Sequence, residues 1–328
     1  CGELGMPRFA ARQIARWLYV RHTEDPLRMT DIAAAHRQRL AERFAPAFNA
    51  PERVTESADG TKKYLFRIPG GHAVESAYIP DGERATLCVS SQAGCRMGCR
   101  FCATGRQGLQ QSLTAAEILN QAVSLPERDK LTNLVFMGMG EPMGNYKSVL
   151  SAVRQISAMP PEGFGISARN ITVSTVGVVP GIKKLTAEGI PVRLAVSLHA
   201  PSDELRDELV PMNKRFNTTQ VLDAAHDYYL ASKRRVSIEY ALMRGINDQA
   251  EHAKLLAKRL NHYGDNWAHV NPIPLNPIEG SKWTASKPED EQQFLDILHK
   301  AGITATLRDT RGQDIDGACG QLAAKEQD

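Results

Sequence analysis

Residues 86–105, TLCVSSQAGCRMGCRFCATG, are the stretch on which the reading of the whole chain turns. A β-prone run, LCVSS, passes directly into Cys95, Cys99 and Cys102, spaced C-x3-C-x2-C, and Thr114-x-x-Glu117 then gives the capping-box signature of a following helix. Outward from there the alternation repeats. Strand-like runs at NLVFMG, NITVST, VRLAVSL, VSIEYALM and AHVNPIPL are separated by helical segments that begin near Thr114, Tyr146, Pro180, Thr218, Gln249 and Lys287. Such β-α units predict an α/β chain with a parallel sheet, doubly wound or curved into a barrel. In either form ligands gather at the carboxyl ends of the strands. The unusual residues lie there: the cysteine loop, Gly138-Met139-Gly140-Glu141-Pro142, Ser174-Thr175, Ser197-Leu198-His199 and Asn276. Loops converging on one end predict one active site.

Upstream the texture differs. Residues 51–84 read as short strands punctuated at Asp59-Gly60, Gly70-Gly71 and Asp81-Gly82, and residues 1–50 read as helices, the second with Thr30 as its N-cap and running from Asp31 towards Phe44. The chain has 328 residues, 42% hydrophobic and 23% charged, which excludes a disordered or fibrous protein. No apolar run approaches the roughly 20 residues of a membrane span. The formal charge of +3 names no nucleic-acid partner by itself. The chain opens on Cys1 rather than Met, which points to a missing upstream segment.

Six cysteines, three of them within residues 95–102 of a chain with no export signal, fit a reducing cytosol and a metal or chemical role better than disulfides. Three thiolates on one glycine-containing loop suit an iron–sulfur cubane, leaving its fourth iron open to a ligand. The competing reading is a zinc loop that borrows a His, Cys88 or Cys319. GMGEPMG is a poor dinucleotide loop, because its glycines are spaced G-x-G-x-x-x-G and a Pro interrupts the turn.

The cysteine motif with Phe101 before its last Cys, together with MGMGEPMGN, ITVSTVGVVPGI, AVSLHA, HVNPIPLNP and RDTRGQDIDGACGQLA, resembles the RlmN/Cfr family of radical S-adenosylmethionine (SAM) adenosine methyltransferases across essentially the whole chain. The resemblance implies a radical-SAM partial (β/α)6 barrel at 85–307, with an N-terminal helical accessory domain at 1–50, a β extension at 51–84 and a C-terminal tail at 308–328. It implies a 4Fe-4S cluster on Cys95, Cys99 and Cys102, and SAM, two per turnover, held by Gly140, Glu141, Ser174, Ser197, Leu198, His199 and Asn276. Cys319 matches the thiol that carries the methyl group, and a 5′-deoxyadenosyl radical from a second SAM would turn that methyl into a methylene radical that adds to the adenine. Glu75 matches the proton acceptor, and Cys88 the thiol that releases the RNA adduct by forming a disulfide with Cys319. From pattern alone Glu75 would be a surface residue on an alternating strand and Cys88 a small core residue.

The implied reaction is C2 methylation of an adenosine in 23S rRNA, with a tRNA adenosine as a second candidate substrate. The alternatives are C8 methylation and, more remotely, a non-catalytic zinc-containing RNA-binding protein. The expected setting is cytoplasmic and monomeric, with no membrane partner and an external electron donor such as flavodoxin. Arg8, Arg12, Arg16, Arg21, Lys214-Arg215 and Lys233-Arg234-Arg235 are candidate RNA contacts.

Overall fold

Helices α1 (Ala10–Tyr19) and α2 (Ala34–Arg43) enclose a small apolar cluster of Met6, Ala10, Met29, Ile32 and Leu40. The computed structural model describes residues 1–44 and 48–324; positions 45–47 and 325–328, at the end of the predicted helical segment and of the predicted tail, lie outside the described residues. Thr30 does not cap α2. A 3-10 turn at Pro26–Arg28 and the burial of Met29 and Ile32 hold this segment out of helical register, and Ala33 occupies the cap position without a side-chain bond.

The glycine-punctuated region folds back on itself as β1 (Arg53–Glu56), β2 (Lys62–Arg67), β3 (Ala73–Asp81) and β4 (Arg84–Cys88), each antiparallel to the last. A two-stranded hairpin follows, β5 (Gln92–Cys95) and β6 (Gly108–Ser112), enclosing the short helix α3 (Ala103–Gln107). The alternating part then runs α4 (Ala115–Val123), β7 (Asn133–Phe136), α5 (Tyr146–Ser157), β8 (Ile171–Thr175), α6 (Val179–Glu188), β9 (Arg193–Ser197), α7 (Asp203–Leu209), α8 (Thr218–Ser232), β10 (Val236–Leu242), α9 (Ala250–Asn261), β11 (Ala268–Pro274) and α10 (Pro288–Lys300).

One nine-stranded sheet results, in the order β1-β2-β3-β4-β7-β8-β9-β10-β11. From β4 onward the neighbours are parallel. The edges β1 and β11 do not pair with each other, so the parallel part is a partial barrel. Its strands are nearly continuous apolar runs because helices cover them, and Leu87, Leu134, Val173, Leu194, Ile238 and Val270 share one core with Ile118, Val153, Ile182, Leu222, Leu256 and Phe294 of the helices. A second apolar cluster, with Phe101, Val176, Leu209, Ala241 and Leu275, lies against Cys99 and Cys102. After α10 the chain pairs alongside β11, with Val270 N–H to Thr304 O at 2.9 Å and Arg308 N–H to Pro272 O at 2.8 Å. That pairing carries the tail to the carboxyl ends of the strands. Among the described residues no helix is long and apolar enough to cross a membrane.

Candidate active site

The cysteine loop is framed by its hairpin. Gly94 sits at φ +68°, and a Cβ there would lie 1.9 Å from the Gly108 carbonyl oxygen, so the close approach of β5 and β6 requires glycine. Cys95 ends β5, Cys102 occupies the N-cap position of α3, and both line one cavity with Cys99. Burial pushes all three thiols up, Cys95 to about 12, and for Cys99 the neighbouring Cys102 and Cys95 push further. For Cys102, hydrogen bonds from Gly105 and Thr104 act in the opposite direction. Such thiols become thiolates only beside a strong local cation. Among the described residues no group of three His, Cys, Asp or Glu side chains is arranged to hold a single metal ion. Three soft donors, Cys95 buried and Cys99 and Cys102 half-buried, open on one cavity and fit a multi-iron cluster.

Gly140, Glu141, Ser174, Ser197, His199 and Asn276 line the same cavity. Gly140 has φ +97°, and a Cβ would meet the Gln92 side chain at 2.5 Å. The Glu141 carboxylate accepts N–H bonds from Met143 (3.0 Å) and Val176 (2.9 Å), one on each oxygen, which leaves lone pairs for a cationic ligand. Its burial raises its pKa. Ser174 and Ser197 hydroxyls are 3.4 Å apart. His199 takes φ +60°, its Nδ1 accepts the Ala241 N–H at 3.0 Å, and burial, then Arg206, lower its pKa to about 3. Leu198 does not join them. It is wholly buried in the core, and its carbonyl accepts from Arg206 Nε at 2.9 Å.

The tail brings the remaining thiol. Asn276 Nδ2 donates to the Cys319 carbonyl at 3.0 Å while its Oδ1 accepts from Gln313, so this amide holds the tail. Ala103 N–H binds Gly320 O at 2.8 Å, and Thr104 Oγ1 binds Leu322 O at 2.5 Å. Cys319 thereby stands between two cavities, one holding the three cysteines and the other Cys88. Burial pushes Cys88 up to about 12, Cys319 adds to that shift, and Arg308 opposes it. All six cysteines are free thiols, Cys88 and Cys319 among them, and the structure does not support the expected disulfide.

Glu75 is 2% exposed and lines neither cavity. The antiparallel register explains the burial. Lys63 and Cys88 both pair with Ala77, two residues from Glu75, so all three side chains project from one sheet face, and the tail covers it. Glu75 Oε2 accepts the N–H groups of Ala323 (2.9 Å) and Ala324 (3.0 Å), and Oε1 lies 3.2 Å from Lys63 Nζ.

Three residues here escaped the sequence reading. Arg206 on α7 is fully buried and donates to the carbonyls of Val176, Ser197 and Leu198, tying the β8 and β9 ends together. Arg308 lines both cavities, 4.0 Å from Glu239, and Lys63 pairs with Glu75. An arginine in an acidic helix, a lysine in a strand and a second arginine near the tail carry no spacing signal.

The Radical SAM superfamily model matches residues 89–257, and that of the Ribosomal RNA large subunit methyltransferase N-terminal domain matches residues 1–45. A relative from Bifidobacterium adolescentis, described as "Probable dual-specificity RNA methyltransferase RlmN", is 70% identical over 99% of this chain and 87% of its own length. A relative of the same description from Thermobifida fusca is 54% identical over 98% of this chain and 90% of its own. The crystal structure of a radical SAM methyltransferase from Sphaerobacter thermophilus superposes with a TM-score of 0.93 at 42% identity, over 99% of this chain and 95% of that one. These matches carry the superfamily's requirement for a 4Fe-4S cluster and SAM to a chain whose thiols fit them. The chain belongs to the radical SAM superfamily and, within it, to the RlmN family of RNA methyltransferases.

Proposed function

We propose that the chain methylates C2 of an adenosine in 23S rRNA, and a tRNA adenosine by the same chemistry, with Cys319 as the carrier of the methyl group. The observation that carries this reading is the position of Cys319 between the three-cysteine cavity and the Cys88 cavity. A relay thiol has to face both the group that activates its methyl and the group that discharges it. Cluster and SAM, when bound, supply the methyl group and the one-electron chemistry that activates it. Cys95, Cys99 and Cys102 would hold the cluster, and Gly140, Glu141, Ser174, Ser197, His199 and Asn276 would surround SAM.

The protein's own part follows from its electrostatics. Arg308 lines both cavities and favours the Cys88 thiolate, against the burial that keeps Cys88 protonated. Glu75, once released from the tail amides, takes the ring proton as the radical adduct gives up its odd electron, for which the cluster, when bound, would be the acceptor. The Cys88 thiolate then attacks the Cys319 sulfur: an S–S bond forms, the bond from Cys319 sulfur to the product carbon breaks, and that carbon takes up the electron pair and a proton. External electron donors, flavodoxin among them, would supply the two electrons that reduce the disulfide and the one that reduces the cluster. A cytoplasmic setting supplies such donors. The test is mass spectrometry of nucleosides from rRNA and tRNA treated with the reconstituted enzyme. 2-Methyladenosine is expected in both; 8-methyladenosine, or no methylated adenosine, overturns the reading.

A further inference from the structure

The parallel strands that present the cysteine cavity at their carboxyl ends all start at the opposite end of the sheet. Strand β10 has seven residues, which at about 3.3 Å each separates the two ends by roughly 20 Å. Basic residues collect at that far end. Arg169 precedes β8, Arg193 opens β9, Lys233, Arg234 and Arg235 precede β10, and His269 is second in β11. Parallel register sets them on neighbouring rungs, Thr172 beside Arg193 and Ser237 beside His269, and together they line one open cleft.

No Asp or Glu lines the cleft, and among the described residues none of its five permanent cations forms an ion pair. Some other surface arginines do have carboxylate partners, as in Arg154–Glu188 and Arg67–Glu52. Lys233 takes φ +55°, a left-handed conformation usually left to Gly or Asn, and so turns three consecutive basic residues into the cleft wall. Arg234 is half-buried there. Its Nη2 donates to the Arg169 carbonyl at 3.0 Å, but its Nε is buried with no partner. A solvated basic face does not explain a buried, unsatisfied guanidinium nitrogen among like charges.

Guanidinium forks and a lysine, with no Phe, Tyr or Trp on the walls, suit phosphate better than a base. We propose that this cleft binds the phosphate backbone of the folded RNA substrate, at a point remote from the adenosine being modified. The proposal rests on the RNA-methyltransferase reading above. One nucleotide fills the catalytic end, whereas a large folded RNA reaches both ends of a sheet this long.

The test uses the reconstituted holoenzyme and the triple variant Arg169→Gln/Arg193→Gln/Arg235→Gln, all three residues being exposed and outside the catalytic machinery. Iron content and thermal midpoint establish that the variant is folded; if it is not, the charge-retaining Arg→Lys triple and the single Gln variants replace it. On the large folded RNA the Gln triple is expected to raise KM at least tenfold with kcat unchanged. The slope of log KM against log salt should fall by roughly two to three, one unit or slightly less for each phosphate that is no longer neutralised. The Lys triple should restore most of both. Inorganic tripolyphosphate should compete with RNA for wild type and not for the Gln triple. Unchanged KM and salt slope in a folded Gln triple overturn the proposal. So does tripolyphosphate that binds the wild-type cleft without affecting KM for RNA, which would make it a site for a small anion only. If the wild-type enzyme methylates RNA and the triple does so equally well, this proposal alone fails; if wild type methylates no RNA, the RNA reading fails and takes the proposal with it.

Discussion

Arg206 shows how much of this site depends on a single side chain that touches no reactant. Its guanidinium satisfies three main-chain carbonyls and Asn213 Oδ1 at the strand ends, and burial lowers its pKa to about 10. Arg206→Met would leave those acceptors buried without donors, so unfolding in urea should show a loss of about 3 kcal/mol or more. Arg206→Lys should recover only part, because an ammonium cannot reproduce the fork. Cys88 and Cys319 separate by timing instead. Cys319→Ala should give neither methylated protein nor methylated RNA. Cys88→Ala should load its methyl group, attack RNA and stop there. Denaturing electrophoresis should therefore show a nuclease-sensitive upward shift for Cys88→Ala that the Cys88/Cys319 double variant lacks. Normal turnover by Cys88→Ala would remove it from the release step.

At the scale of elements, the repeating β-α part was legible because buried parallel strands are apolar throughout and their helices announce their starts. The capping box is one example: Thr114 Oγ1 accepts from Glu117 N–H and the Glu117 carboxylate accepts from Thr114 N–H at 2.7 Å. The β5–β6 hairpin was not legible, since no apolar period marks it and its glycines answer to a backbone contact 14 residues away in sequence, Gly94 against Gly108. The strand-like run to Arg308 exists only by pairing with β11, and Glu75 looked solvent-facing because the segment that covers it lies some 250 residues further on. Gly140 sits on a left-handed backbone packed against Gln92. Gly140→Ala adds left-handed strain and a clash with Gln92, so equilibrium SAM binding should weaken at least tenfold while the three cysteines still take up iron. Glu75→Gln weakens the anchor for Ala323 and Ala324 and removes the Lys63 ion pair. Limited proteolysis should then cut the tail several-fold faster than in wild type, with the cluster cysteines unaffected.

Across the whole molecule, acid stability gives a check on the buried site. His199 is held neutral by burial and by Arg206, so between about pH 3 and its ordinary 6.5 the folded chain binds fewer protons than the unfolded chain. Its contribution to stability is complete above pH 6.5 and is lost as pH falls towards 3, at about 1.4 kcal/mol per pH unit. Denaturant midpoints of the cluster-free chain should drop more steeply from pH 6.5 to 5 for wild type than for His199→Asn; equal slopes would mean that the ring is not held neutral. The tail has a consequence of another kind. Residues 323–324 occupy Glu75 as a tethered ligand would, at an effective concentration set by the length of the tether and not by anything in solution. If Glu75 takes the proposed part in the reaction, an incoming nucleobase competes with that internal ligand, and its apparent affinity is the intrinsic one scaled by the fraction of molecules in which the tail has let go.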